Sequence, residues 1–470
     1  MKLTKSDILA IPHIKAIGFD GLKTLNIKGL SLDSRTMKPG ELFIAIRGDQ
    51  FDGHNFISKS IEGGAACIIV ERRWADVNTS MMVSINIPRL IVENTLQTLG
   101  KLANLHRRKF DLPVIAVGGS NGKTTTKEMI RSVLEMKYHV LCTEGNFNNH
   151  IGVPQTLFRL EKKHEIAVVE IGTNHPGEID TLCTILEPTH GLITNIAREH
   201  MEFFGTLEGV AKSEGELFVW LEKHHGLIFV NADDKHLVRL SKKNKKTVRF
   251  GISAREVSIK GSIESYNADA QAQLRVRPKN KKAFEFTVGV SGEHNAKDAL
   301  AAAAVGLKFN VPAADIQKAL ASFQSADKRL HLQRIGHMTV LNDTYNANPD
   351  STLAALATLR EMKPTGKKIA VLADMLELGH HAEQLHREIG ESASRSGVDI
   401  LLTFGRLSKS IHDAATVETK AHFENKSALA DYLVRTLADG DIVLVKGSRG
   451  MKMEEVIVHL SEQLSPKAGA

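Results

Sequence analysis

Cysteine is nearly absent. Cys67, Cys142 and Cys183 are the three in 470 residues. They are far apart and odd in number, which excludes a disulfide framework or a zinc spacing and fits a reducing cytoplasm. Aromatic residues are also few, with two Trp and four Tyr. The basic runs at 242–246 and 279–282 are short and carry no interleaved aromatics. The formal charge of +7 therefore reads as a solvated basic face suited to small polyanionic substrates, not as a nucleic-acid surface. No run of about eighteen apolar residues occurs, so no membrane insertion is expected. The opening Met1-Lys-Leu-Thr-Lys-Ser lacks the apolar core of a signal peptide. An apolar fraction of 42% and a charged fraction of 24% are those of an ordinary globular protein, and the length suggests about two to four domains.

What the chain does have is one strongly patterned stretch. Val114, Ile115, Ala116 and Val117 end a buried strand, and Gly118, Gly119, Ser120, Asn121 and Gly122 let the backbone turn tightly. Lys123, Thr124 and Thr125 follow, and the pattern becomes helical through Lys127, Met129, Ile130, Val133 and Leu134. Strand, glycine loop, Lys-Thr and helix together hold polyphosphate: backbone N–H groups wrap the phosphates and the helix N-terminus adds positive potential. Lys123 is expected to reach the β- and γ-phosphates, and the Thr124 hydroxyl to sit on Mg²⁺. The common loop has about four residues between its first Gly and the Gly-Lys. Here only Ser120 and Asn121 separate Gly119 from Gly122.

Around this stretch the chain alternates strands and helices. Residues 1–100 read as a small α/β domain, with Asp33, Ser34 and Arg35 between two strand-like runs. The loop at 143–154 is rich in Asn and Gly, which is either turn chemistry or a ligand loop. A strand at 166–169 ends at Glu170. An acid there can meet the metal on Thr124 across the crevice, or simply end the strand in solvent. His200 lies in a charged loop, as a metal ligand, a phosphate contact or a solvated side chain. The histidines at 380, 381 and 386 do not have the zinc-helix spacing and read as surface helix. Residues 241–290 read as an antiparallel edge. His294 and Asn295 open a small-residue helix, where they can cap it or touch a ligand. Beyond about residue 327, strands at 368–372, 400–404 and 441–445 alternate with helices as a second doubly wound sheet. Lys446, Ser448 and Arg449 follow its last strand, where such sheets bind ligands. The tail from 464 to 470 reads as a frayed end.

Taken together these stretches resemble the Mur ligases of peptidoglycan synthesis, over nearly the whole chain. The most specific pieces are Gly119-Ser-Asn-Gly-Lys-Thr-Thr125, Gly145-Asn-Phe-Asn-Asn149 and Asp343-Thr-Tyr-Asn-Ala-Asn-Pro349, joined by Asp374-Met-Leu-Glu-Leu-Gly379 and Lys446-Gly-Ser-Arg449. The string Tyr345-Asn-Ala-Asn-Pro349 favours the member that adds D-alanyl-D-alanine over the sibling that adds the third peptide residue. The resemblance implies an α/β chain of three domains. These are a small N-terminal domain for the UDP-sugar peptide (1–100), a central ATP-binding domain with a parallel sheet (101–326) and a C-terminal Rossmann-like domain (327–470). It implies ATP and Mg²⁺, with UDP-N-acetylmuramoyl-tripeptide and D-alanyl-D-alanine as partners, on a cytoplasmic monomer. ATP would phosphorylate the tripeptide carboxylate, and the dipeptide amine would attack the acyl phosphate. Thr124, Glu170 and His200 are then metal ligands, with Lys123, Glu170 and His200 catalytic. Asn295, Arg329, Asp343 and Asn346 join residues 119–125 as nucleotide contacts. Asp33, Ser34 and Asn149 touch the UDP-sugar peptide, and Lys446, Ser448 and Arg449 the dipeptide.

The chain departs from the family at one point. Mur ligases usually carry a lysine, carbamylated by CO₂, fourteen residues after the metal-binding histidine. Counting from His200 reaches Glu214, which supplies a carboxylate without modification. Glu214 is therefore expected to replace the carbamate. The alternatives are a surface helix residue there, or a carbamate on Lys212, which a helix turns to another face. Two other readings of the whole chain stand beside this one. A related ligase such as a folylpolyglutamate synthetase would lack the stretch from Asp33 to Arg35. A nucleotide-controlled binding or motor protein would not need the second sheet and its loop.

Overall fold

Among the described residues, short apolar strands between helices build three sheets. The structure, a computed structural model, describes residues 4–20, 25, 27–48, 51–325 and 328–464. The expected boundary at 326/327 and the tail at 465–470 lie outside the described residues. The chain divides into two compact units, one of residues 1–116, 138–173 and 177–190, the other of residues 117–137, 174–176 and 191–470.

The first sheet has the order Lys15–Ile17, Arg89–Val92, Cys67–Glu71, Glu41–Ile44, Gly29–Ser31. Lys15–Ile17 runs antiparallel to its neighbour and the other pairs are parallel. Phe43, Ile68, Val70 and Ile91 are in its core.

The second sheet has nine strands, in the order Phe284–Ser291, Gln271–Pro278, Ile259–Tyr266, Thr247–Gly251, Leu227–Asn231, His190–Ile193, Val114–Gly118, Ile166–Glu170, Val140–Cys142. Every residue of Val114–Gly118 and of Ile166–Glu170 is buried, as in a strand covered on both faces. Gln271–Pro278 instead alternates buried and solvated positions, and pairs antiparallel with both neighbours. The antiparallel edge expected over 241–290 is thus present from Ile259 to Ser291, whereas Thr247–Gly251 pairs parallel with both of its neighbours.

The phosphate-loop strand is followed by the helix Lys123–Glu135. Against it packs Glu293–Lys308, whose Ala296, Ala299, Ala302 and Ala303 are buried. Small residues let the two backbones approach closely, so that a Cβ at Gly306 would overlap Val133 and come within 3.2 Å of Ile316.

The third sheet has the order His331–Ile335, Met338–Asp343, Ile442–Lys446, Lys368–Ala373, Ile400–Phe404, Thr419–Phe423. All its pairs are parallel except the first. The last strand in the chain thus lies between two earlier ones, and Asp343 and Lys446 are register partners at their carboxyl ends. Ligands bind at such switch points. The histidine stretch differs from the sequence reading. His386 is fully buried on the helix Ala382–Arg395 and accepts from the Met375 N–H at 3.0 Å. The three cysteines are free and buried. Among the described residues no helix is long and apolar enough to cross a membrane.

Filling the gap at Gly306 is expected to force the two helices apart. Gly306→Leu should lower unfolding stability by about 1–3 kcal/mol, the range for overpacked cores. A urea midpoint equal to that of the parent chain would contradict this close approach.

Candidate active site

The loop between Val114–Gly118 and Lys123–Glu135 turns at two glycines in the left-handed region, Gly119 at φ +112° and Gly122 at φ +79°. A Cβ at Gly119 would strike Thr194, and one at Gly122 would lie 2.7 Å from Asp298 Oδ2. Glycine is therefore required at both. The sequence expectation was that the loop N–H groups face phosphate. Three of them are instead donated inside the protein: Gly119 to Glu214 Oε2 at 2.7 Å, Ser120 to the Asn195 carbonyl at 2.9 Å and Asn121 to Asn195 Oδ1 at 3.2 Å. Gly122 precedes the helix and, as glycine, supplies no side-chain cap of its own.

Lys123 folds back over the loop. Its Nζ donates to the Gly119 carbonyl, to the Ser120 carbonyl at 3.2 Å and to Glu199 Oε2 at 3.5 Å. Glu214 ends the helix Leu207–Glu214 and is 1% exposed. Burial pushes its carboxyl up to about 7, against the pull of Lys123 and with added repulsion from Glu199. Oε1 of Glu199 and Oε1 of Glu214 are both buried with no hydrogen-bond partner among the described residues. A carboxylate oxygen in that state is under-solvated. Two such oxygens on neighbouring carboxylates suit a hard divalent cation, which binds oxygen donors. Among the described residues no group of three or more His, Cys, Asp or Glu could hold a metal. Lys212 is exposed on the same helix as Glu214.

The His200 ring joins this group, with Nε2 4.0 Å from Glu199 Oε2 and Nδ1 2.5 Å from Glu377 Oε2. Asn121 exchanges amide hydrogen bonds with Asn348 at 2.8 and 3.4 Å. Arg198 is gripped by Asp350 and Glu388. Asp350 takes its backbone N–H at 2.7 Å and Nη2 at 2.6 Å, and Glu388 takes Nη1 at 2.7 Å. These hydrogen bonds to Asp350, reinforced by Glu388, raise the Arg198 pKa above its ordinary value.

At the switch point of the third sheet, five expected residues form one network. Lys446, 2% exposed, donates to Asp343 Oδ2 at 2.5 Å and to the Asn346 carbonyl at 2.9 Å. Arg449 N–H donates to Asn346 Oδ1 at 3.2 Å, and Ser448 Oγ to the Ala347 carbonyl at 3.1 Å. The nucleotide and dipeptide assignments thus fall on a shared scaffold. The Arg329 guanidinium lies over the Tyr345 ring, 3.7 Å from its centroid. Asn295 sits in the first turn of Glu293–Lys308, donating to the Ser291 carbonyl at 2.6 Å, while Gly292 is the cap.

In the other unit, Glu170 is buried at the end of its strand and accepts from Asn148 Nδ2 at 2.9 Å. Asn149 uses Oδ1 to accept from the Ile151 and Gly152 N–H groups, which is the turn chemistry of such a residue. Asp33 is locked to Arg35, whose hydrogen bonds hold its carboxyl down at about 2. Ser34 is half-buried in the same turn.

Sequence reasoning missed Glu199, Arg198, Asn348, Asp350, Glu388 and the role of Asn148. A charged Arg-Glu-His run in a loop after a buried strand was the one available signal for the first two.

A phosphate loop whose lysine lies among buried carboxylates, bonded to the ligand-binding end of a second parallel sheet, defines a nucleotide-dependent α/β enzyme. Family models agree along the chain. The Mur ligase middle domain matches residues 117–306, the Mur ligase glutamate ligase domain 328–449 and the Mur ligase family catalytic domain 26–107. The UDP-N-acetylmuramoyl-tripeptide–D-alanyl-D-alanine ligase of Haemophilus influenzae is 33% identical over 99% of this chain and 99% of its own. That of Escherichia coli is 34% identical over 93% and 94%. The crystal structure of MurF from Acinetobacter baumannii is similar with a TM-score of 0.88 at 29% identity, covering 98% of this chain and 99% of that one. MurF from Thermotoga maritima in complex with ADP gives 0.80 at 27% identity over 93% and 97%. The chain belongs to the Mur ligase family.

Asp298, packed under Gly122, is testable by pH. Burial raises its pKa from 3.8 to about 7. A carboxyl raised in the fold contributes stability that is complete below about pH 4 and lost as pH rises through about 7. Asp298→Asn should therefore match the parent chain at the acid end and exceed it above neutrality, by on the order of a few kcal/mol. Chemical denaturation across that range checks this, and a difference independent of pH would contradict it.

Proposed function

We propose that this chain joins D-alanyl-D-alanine to UDP-N-acetylmuramoyl-tripeptide with ATP, releasing ADP, in peptidoglycan precursor synthesis. The observation that carries this reading is full-length likeness to ligases of that activity, at 33% identity over 99% of the chain. We place the reaction in the cytoplasm, where ATP and UDP-linked precursors are found, and take the chain to act as a monomer. Residues 1–100 are assigned to the UDP-sugar peptide, with Asp33, Ser34 and Asn149 as contacts. Residues 101–326 are assigned to ATP and 327–470 to the C-terminal ligase domain, where Lys446, Ser448 and Arg449 are the dipeptide residues. Asn295, Arg329, Asp343 and Asn346 complete the nucleotide contacts.

The chemistry follows from a poor electrophile. The tripeptide carboxylate attacks the γ-phosphorus, the bond to the β–γ bridging oxygen breaks, and ADP leaves. The dipeptide amine then attacks the acyl carbon, a C–N bond forms, the C–O bond to phosphate breaks, and the amine gives up its proton. Negative charge collects on the γ-phosphoryl oxygens during transfer. Lys123 meets it by exchanging the Gly119 and Ser120 carbonyls for phosphate oxygens. Mg²⁺, when bound, neutralises phosphate charge. In the second unit Thr124, Glu214 and His200 would hold it, with the Glu199 carboxylate adding negative charge beside them, and Glu170 is assigned as a further ligand by family resemblance. The burial of Glu214 and the exposure of Lys212 support Glu214 as the carboxylate in place of a carbamate.

ADP release measured with both substrates, and with each withheld, tests the function; release indifferent to the tripeptide and the dipeptide would overturn it. Lys123→Ala should lower turnover by about a hundredfold or more in a folded protein. Glu214→Ala should lose activity while Lys212→Ala loses little, and removing bicarbonate should change nothing. Bicarbonate-dependent turnover that vanishes in Lys212→Ala would assign the carboxylate to the lysine instead.

A further inference from the structure

His200 has an unusual setting. It is a non-glycine residue at φ +47°, and the residue that holds its ring, Glu377, is another at φ +61°. Such backbone positions persist where the surroundings over-determine them. Glu377 belongs to a segment anchored at each preceding residue. Asp374 Oδ1 accepts from the Ser408 N–H at 2.7 Å, and its carbonyl from the Ser448 N–H at 3.0 Å. Met375 N–H donates to His386 Nε2 at 3.0 Å, and Leu376 N–H to Ser448 Oγ at 2.8 Å. The Glu377 carbonyl then accepts from the Glu202 N–H at 3.1 Å. A Cβ on Gly379 would lie 3.4 Å from Glu202 Cα. The carboxylate that meets His200 therefore stands on a rigid platform, and the backbone beside the histidine is fixed to that same platform.

An ionised carboxylate has no proton to give, so in the 2.5 Å contact His200 Nδ1 donates to Glu377 Oε2. A neutral ring protonated at Nδ1 carries its lone pair on Nε2, the nitrogen on the Glu199 side. We infer that Glu377 is a positioning residue for the ligase reaction: it holds His200 in the Nδ1–H tautomer and turns the unprotonated Nε2 toward the carboxylates beside Lys123. This rests on the metal role proposed for His200, since a histidine ligand generally donates its second N–H to a carboxylate or carbonyl that sets its tautomer. The C-terminal sheet thereby completes a site that the phosphate-loop domain does not complete alone.

A bare ion pair between the largely buried ring and the half-exposed carboxylate would give the same contact, and tautomer separates the two. The ¹⁵N spectrum of histidine-labelled protein, free of metal and nucleotide at alkaline pH, reports which nitrogen carries the proton. The His200 signals are assigned by their loss in His200→Gln. The parent chain should show Nδ1–H, Glu377→Ala should shift toward Nε2–H, and Glu377→Gln, whose amide oxygen can still accept, should keep Nδ1–H. In turnover assays Glu377→Ala should raise the Mg²⁺ concentration for half-maximal rate about 10- to 100-fold, as for other orienting partners. Glu377→Gln should restore most of it. An unchanged tautomer in Glu377→Ala, or a Gln variant as impaired as the Ala one, overturns the inference. The spectrum needs no substrate, so it stands or falls separately from the proposed ligation, which only the substrate dependence of ADP release decides.

Discussion

The hydrogen bond from the Gly119 amide to Glu214 ties the phosphate loop to the helix beneath it. The rest of the site answers the charge that this bond keeps out of water. Stripping a carboxylate of solvent costs far more than one hydrogen bond returns. Burial accordingly lifts the Glu214 carboxyl to about 7. Glu199 adds a second carboxylate, and each leaves one buried oxygen without a hydrogen-bond partner among the described residues. Lys123 supplies part of the missing positive charge. The folded chain has already met the desolvation cost that a cation site requires, so a divalent ion binding there relieves repulsion as well as gaining ligands.

A second constraint acts from the C-terminal sheet. Residues 198–200 link a buried strand to the short helix Met201–Phe204 and would be an ordinary mobile loop if left to themselves. They are instead held through Arg198 by Asp350 and Glu388, and through His200 and the Glu202 amide by Glu377. An arginine fork bonded to two carboxylates is stronger and more directional than a single surface ion pair. Asn121 reaches the same sheet from the phosphate loop itself. The loop that carries His200 and Glu199 is thus bonded to segments that flank the sheet carrying Lys446 and Asp343.

Legibility in the sequence followed the range of the interaction. The strand Val114–Gly118, the glycine turns and the helix from Lys123 were readable because their signals are local: an apolar run, residues tolerating positive φ, a helical period. The antiparallel strands from Ile259 to Ser291 were readable for the same reason, but the parallel pairing of Thr247–Gly251 was not, because direction is set by the neighbouring strand and not by the strand's own residues. The strand Thr419–Phe423 was not, because its residues are half-buried or exposed and no apolar run marks it. His386 was misread because spacing to neighbouring histidines was weighed while its burial depends on helix packing. Arg198 and its partners were invisible, being separated by 152 and 190 residues. Glu377 lay inside a quoted motif, but its partner is 177 residues away. Loop wrapping was expected from the general pattern, yet a loop shortened to Ser120 and Asn121 turns its first amides inward.

That inward turn separates the contacts of the site that are committed from those that can be exchanged. The amides of Gly119, Ser120 and Asn121 are committed to Glu214 and Asn195, and Thr194 Oγ1 and Asn195 Nδ2 both donate to the Asn121 carbonyl. Releasing that backbone for each turnover would break several buried hydrogen bonds at once, each costly to leave unmade. Lys123 is held differently. Its contacts to the Gly119 and Ser120 carbonyls and its 3.5 Å pairing with Glu199 can be exchanged for phosphate oxygens, which are stronger acceptors. The exchange needs rotation of one flexible side chain and leaves the loop as it was. A rigid loop with a hinged lysine lets the charge arrive with the nucleotide, while the glycines and buried carboxylates keep the geometry that the phosphoryl group will meet.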